Sequence, residues 1–240
     1  YNDSWLYRKT LTIDPAQVAG DLTDFPVLVS FTDSDVATSA QEDADDIIFI
    51  DSSGQKLAHE IESYASSTGT LVAWVKAPSL SSTESTVLTM YYGNATAPNQ
   101  ENPANVWDED FLMVQHMNDV NSVLDSTSHN HDGTVYDTVE ASSTSKIGTV
   151  LEFGPGTERV EIGASTQLDN IQYKTISTWI RVPDQGGHGY IAAKDDYTDD
   201  NPGWRFVLRS DEQIAYFHYF SGGLGAWEYE SSLTIGDYYH

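Results

Sequence analysis

Apolar residues in this chain recur at every second position, in short runs broken by Gly, Pro, Asn and Asp. That period aligns side chains on one face of a strand, and the breaks supply tight turns, so the pattern dictates half-buried antiparallel strands. In the opening stretch Tyr7, Lys9, Leu11 and Ile13 fall on one face, and Leu6, Arg8, Thr10 and Thr12 on the other. Further strands are expected at 27–31, 47–51, 57–65, 71–77 and 85–93, with Ser67-Thr68-Gly69 as a turn. The polar segment 32–46 has room for one short helix. Residues 94–105 lack periodicity and carry two prolines, which marks a boundary between modules. A second series begins at Trp107 and spans 107–182 as the first half of another sandwich, with 107–119 read as its opening strand. Strands at 190–194, 204–210, 213–220 and 226–232 follow. The expectation is all-β: two antiparallel β-sandwich domains, 1–105 and 106–240. The final TIGDYYH reads as a loop leading into another strand, so the second sandwich is expected to be incomplete at its C-terminus.

Charge narrows the partners. With 37 acidic and 11 basic residues the formal net charge is -26, which repels nucleic acid and anionic lipid alike. No run approaches the roughly 18 apolar residues of a membrane span, so direct membrane insertion is not expected. The acidity fits either a solvated surface suited to a salty exterior or scattered cation sites. Cysteine is absent, which rules out disulfides and thiolate metal sites. A start at Tyr1 rather than Met is expected of a processed or excised piece. Asn2-Asp3-Ser4 and Asn94-Ala95-Thr96 fit the glycosylation acceptor pattern, consistent with an extracellular or cell-surface location.

Five groups of residues could carry chemistry. Asp119, Asn121, Asp125, Asn130 and Asp132 place oxygens within one loop, and calcium takes six to eight such ligands; the competing reading is a loop of Asx turns bound to its own backbone. Asp195, Asp196, Asp199, Asp200 and Asn201 form a second acidic loop, with solvated charge as the simpler account. His116, His129 and His131 are a zinc possibility, although His116 lies in an apolar run where a hydrogen-bonded core histidine is more usual. Trp204, Tyr216, Tyr219, Trp227 and Tyr229, with His218 and Arg205, are the flat rings and polar groups that a sugar-binding face needs. Trp204 shares strand parity with Phe206, and Tyr216 with His218, so half of these rings are expected to fill a core instead. Trp179 is assigned to packing. Two carboxylate pairs, Glu60 with Glu62 and Glu228 with Glu230, have the next-but-one spacing a retaining glycosidase could use, against ordinary ion pairing with Lys or Arg.

Separated motifs in residues 4–110, WLYRKTLTI, LTDFPVLVSFTDSD, HEIESY, LVAWVKAPSLSS and MYYGN, closely resemble a domain-of-unknown-function family of secreted and surface proteins in archaea and bacteria. From Trp107 onward, VQHMND, DSTSHNHDGT, KIGTVLEFG, VEIG and TISTWIRV look like a concanavalin A-like jelly roll of the laminin-G type. The resemblance implies glycan binding, often beside a structural calcium ion, or service as a spacer in adhesins and surface layers. The Glu-x-Asp-x-x-Glu strand of jelly-roll glucanases does not occur. The reading is therefore a non-catalytic surface protein whose partners are glycans. The alternatives are a homo-oligomeric filament or surface-layer subunit assembled by strand donation to neighbouring subunits, and a polysaccharide-cleaving enzyme.

Overall fold

The computed structural model describes residues 2–169, 171–182, 189–194, 203–220 and 223–240. The chain is all-β, and its strand pairings are antiparallel. It divides into two compact units, Tyr1–Ala164 and Ser165–His240.

Six strands build the sandwich of the first unit: β1 (Tyr7–Ile13), β2 (Leu22–Thr32), β3 (Ile48–Ile50), β4 (His59–Ala65), β5 (Thr70–Leu80) and β6 (Thr86–Tyr92). One sheet runs β1-β6-β3 and the other β2-β5-β4. The period-two pattern decides which side chains meet between them. Leu88, Met90 and Tyr92 point inward from β6, and Leu71, Ala73 and Val75 from β5, with Phe49 and Val29 completing the layer. Each large side chain buried in this way stabilises the fold by about 1.5–3 kcal/mol. The short helix expected in 32–46 is α1 (Ser34–Ser39), capped by the Asp33 carboxylate, which accepts from the amides of Asp35 and Val36. Between β4 and β5, Gly69 has φ +68, and a Cβ there would lie 1.9 Å from the Asp33 carbonyl oxygen. Only glycine fits this turn.

Beyond β6 the first unit continues. Residues 106–132 were expected to open with a strand at 107–119, but apart from an isolated bridge between Val123 and Gly133 they form no ladder. The segment binds back onto β4 and β5 through its side chains, so apolar alternation there reflects docking on a neighbour rather than sheet pairing. Two small ladders follow. β7 (Gly133–Tyr136) pairs with β10 (Arg159–Ile162), and β8 (Glu140–Ser142) with β9 (Val150–Glu152). Their core is Val123, Val139 and Leu151. The compact unit thus extends to 164, whereas the sequence pattern put the module boundary at 105/106.

In the second unit β11 (Ile180–Arg181) pairs with β16 (Tyr238–Tyr239). A meander of β12 (Gly189–Lys194), β13 (Trp204–Leu208), β14 (Ile214–Phe220) and β15 (Gly223–Glu228) forms a four-stranded sheet in sequence order. The expected strand over TISTWIRV shrinks to β11. Tyr238 and Tyr239 near the close of the sequence form a strand within this chain, where a lead-in loop was expected.

Candidate functional site

The register of the meander sorts the aromatic residues. Residues directly opposite one another share a face, so Phe206, Tyr216 and Trp227 line up across β13, β14 and β15, with Trp204 and His218 in the adjacent row. Trp204 stacks on Tyr216 with ring centroids 6.3 Å apart, Trp227 tilts against Tyr216 at 5.8 Å, and His218 meets Tyr216 edge-on at 6.2 Å. Phe206, Tyr216, His218 and Trp227 line one wall of an open concavity of about 340 Å³, whose second wall is Gln172, Lys174 and Ile176. Trp227 is 60% exposed. The Lys174 ammonium sits 5.5 Å from the Trp204 ring centroid and donates to the Ile171 carbonyl at 2.9 Å. Burial holds Lys174 below its ordinary range; burial, and then the charge of Lys174, lowers His218.

Of the five rings proposed from sequence, Trp204, Tyr216 and Trp227 come together. Tyr229, also exposed, follows Trp227 at the same parity where its amide donates to the Ile214 carbonyl. Tyr219 faces the other way with Arg205, whose guanidinium lies 4.8 Å from the Tyr219 ring. Gln172, Lys174 and Ile176 were missed because nothing in their spacing places them over side chains that lie 30 or more residues later, from Phe206 onward. Trp179 is half exposed and tilts on His240 at 5.1 Å. Glu228 pairs with Arg209 at 2.9 Å, and the Glu230 carbonyl accepts from Gln213.

A second constellation lies in the first unit. Glu60 and Glu62 project from the same side of β4, and His116 sits between them: Nε2 lies 3.1 Å from Glu60 Oε1 and Nδ1 3.2 Å from Glu62 Oε2. These are ion pairs rather than aligned hydrogen bonds. The Trp107 indole donates to Glu60 at 3.0 Å, the Ser126 hydroxyl donates to its other oxygen, and the Trp74 indole donates to Glu62 at 2.7 Å. Burial alone would lower the imidazole, but the two carboxylates outweigh it and hold His116 at about 9. Burial likewise pushes Glu60 up, and His116, Ser126 and Trp107 together bring it below the ordinary carboxylate range. A histidine with both nitrogens on carboxylates has no lone pair left to take a proton from Ser126, so the cluster acts as a clasp holding 106–126 on the sheet. His116 was expected as a hydrogen-bonded core histidine, and Glu60 and Glu62 were expected to pair with Lys or Arg; instead the two glutamates share His116.

The proposed oxygen loop is tied into its own backbone. Asp125 accepts from the amides of Val114, Thr127 and His131 and from the Thr127 hydroxyl. Asp132 accepts from the Asp125 amide, Asp119 from Asn121, and Asn130 donates to the Ser128 carbonyl. His129 and His131 stack at 5.8 Å, with His131 Nδ1 2.8 Å from the Leu112 carbonyl oxygen. Among the described residues no three His, Asp or Glu side chains converge as a metal site. The acidic loop of Asp195, Asp196, Asp199, Asp200 and Asn201 lies outside the described residues.

Comparison with known proteins places one part of the chain. Residues 43–138 match the family described as Domain of unknown function (DUF2341). The DUF2341 match takes in β3 to β6 and the whole Glu60–His116 clasp, and it runs across the 105/106 position. An unknown-function family is what the N-terminal motifs implied, although they had placed it at 4–110. No curated protein and no solved structure matches the chain.

Proposed function

We propose that the chain is a non-catalytic glycan-binding protein of the cell exterior, and that the sheet β12–β15 carries its binding face. The observation behind this reading is the row Phe206, Tyr216 and Trp227 with Trp204 beside it, forming one wall of an open concavity rimmed by Gln172, Lys174 and His218. Sugar rings present apolar C–H faces that stack on such aromatics, while amide, ammonium and imidazole groups fix the hydroxyls. Trp227→Ala removes the most exposed ring without opening a buried core. It is expected to weaken retention on a glycan array at least tenfold, a loss of about 1.4 kcal/mol, with an unchanged melting transition. Running the array in calcium and again in chelator tests whether a calcium ion assists. Unchanged retention by Trp227→Ala and Tyr216→Ala would move the site elsewhere.

A specific feature favours a second reading, a subunit assembled by strand donation between copies. β1 and β2 are edge strands of their sheets, and the gap between them is a groove of about 300 Å³ lined by Leu11, Ile13, Val27, Val29 and Leu88. Unpaired edges beside apolar pockets accept an added strand. Electron microscopy in native salt separates the readings, since dispersed monomers at high concentration would remove the assembly model.

A further inference from the structure

Lys174 differs from Lys194 and Arg209, its fellow cations in the second unit that hold carboxylates. Lys194 is paired with Asp169 at 2.8 Å, and Arg209 with Asp211 and Glu228. Lys174, among the described residues, has only the Ile171 carbonyl and the face of Trp204. Asp169, the nearest carboxylate before it in sequence, is already held by Lys194. Among the described residues, those lining the concavity include no Asp or Glu, in a chain with 37 of them. Half-burying an ammonium without a counter-ion costs free energy, and the lowered range of Lys174 reflects that cost. His218 lies on the same face and lines the concavity.

We infer that the aromatic concavity selects glycans bearing an anionic substituent, a carboxylate or a sulfate, which pairs with the Lys174 ammonium while the sugar ring stacks on Tyr216 and Trp227. This rests on the glycan-binding reading above and names the substrate class of that site. It also accounts for a cation-lined groove on a chain of net charge -26: long-range repulsion slows the approach of any polyanion, so an acidic ligand requires a local positive anchor.

The test uses the whole chain and a matched set of probes: an oligouronide, its methyl ester, a sulfated galactan oligosaccharide and a neutral glucan oligosaccharide. In 50 mM NaCl the oligouronide should bind roughly fivefold more tightly than its ester, the scale of one partly exposed charge pair. That margin should shrink in 500 mM NaCl as the pair is screened. Lys174→Met should abolish the preference, so that uronide and ester bind alike; Lys174→Arg should retain it; Trp227→Ala should weaken both ligands together. The sulfated probe tells carboxylate from sulfate as the favoured anion. Ester bound as well as uronide, with the sulfated probe no better than the neutral one, overturns the anionic selectivity and leaves glycan binding standing. A preference that survives in Lys174→Met overturns the role of Lys174. Binding of none of the four by folded protein overturns both readings.

Discussion

Two histidines of the first unit titrate in opposite senses. His59 is fully buried against the edge of Phe49, and burial is the main cause that lowers it to about 4. His116 is held at about 9 by Glu60 and Glu62 against the opposing effect of burial. An unfolded histidine titrates near 6.5. As pH falls from 6.5 toward 4 the unfolded chain binds a proton that folded His59 refuses, so stability falls. As pH rises from 6.5 toward 9 the unfolded chain has lost a proton that folded His116 keeps, so stability falls again. Each limb amounts to about 3 kcal/mol. Urea unfolding followed from pH 4 to 9 should therefore give a stability maximum near 6.5. His59→Phe should flatten the acid limb between 4 and 6.5, with any remaining slope coming from carboxylates such as Glu60. His116→Gln should flatten the alkaline limb and lower the maximum by about 3–5 kcal/mol, because it leaves two buried carboxylates without their cation. An alkaline limb that persists in His116→Gln would show that another group sets it.

The same clasp decides how far the first structural element extends. Strands β1 to β6 were legible because each carries its own record of burial: a period-two run, or in β3 a short unbroken apolar run, lies between turn residues. Gly69 was legible as a turn residue for the same local reason. The segment 106–132 was not, because its order comes from partners far off in sequence. Trp107 and Ser126 reach Glu60, and His116 reaches Glu60 and Glu62, across 47 to 66 positions. No window of local sequence contains both ends of such a contact. The aromatic concavity was half legible for a like reason: alternation put Trp204 on one face with Phe206 and Tyr216 on one face with His218, while the pairing of the two strands and the wall holding Lys174 come from outside any one strand. A consequence follows for truncation. A fragment of residues 1–105 retains all six strands but strips the cover from Glu60, Glu62 and Trp74. It should melt at lower temperature and be less stable in urea than fragment 1–164 by about 3 kcal/mol or more. Equal stability of the two fragments would mean that the cover is passive.

For the molecule as a whole, charge is unevenly spread: residues 165–240 hold 5 of the 11 basic side chains but only 11 of the 37 acidic ones. The excess negative charge is concentrated in the first unit, and self-repulsion grows with the square of net charge. Salt should relieve it, since the screening length falls from about 10 Å at 0.1 M to about 3 Å at 1 M. Each kcal/mol regained raises the midpoint of a unit of this size by roughly 2–4 °C, so the melting temperature of fragment 1–164 should climb with NaCl. Calcium provides the contrast. A built site in the Asp119–Asp132 loop would need Asp125, yet four donors already occupy its two oxygens. The shift in CaCl2 should therefore match that in MgCl2 at equal ionic strength. A rise confined to calcium, saturating below 1 mM where screening has barely changed, would instead reveal a specific ion in this unit and make the acidity of its loops a matter of coordination rather than solvation.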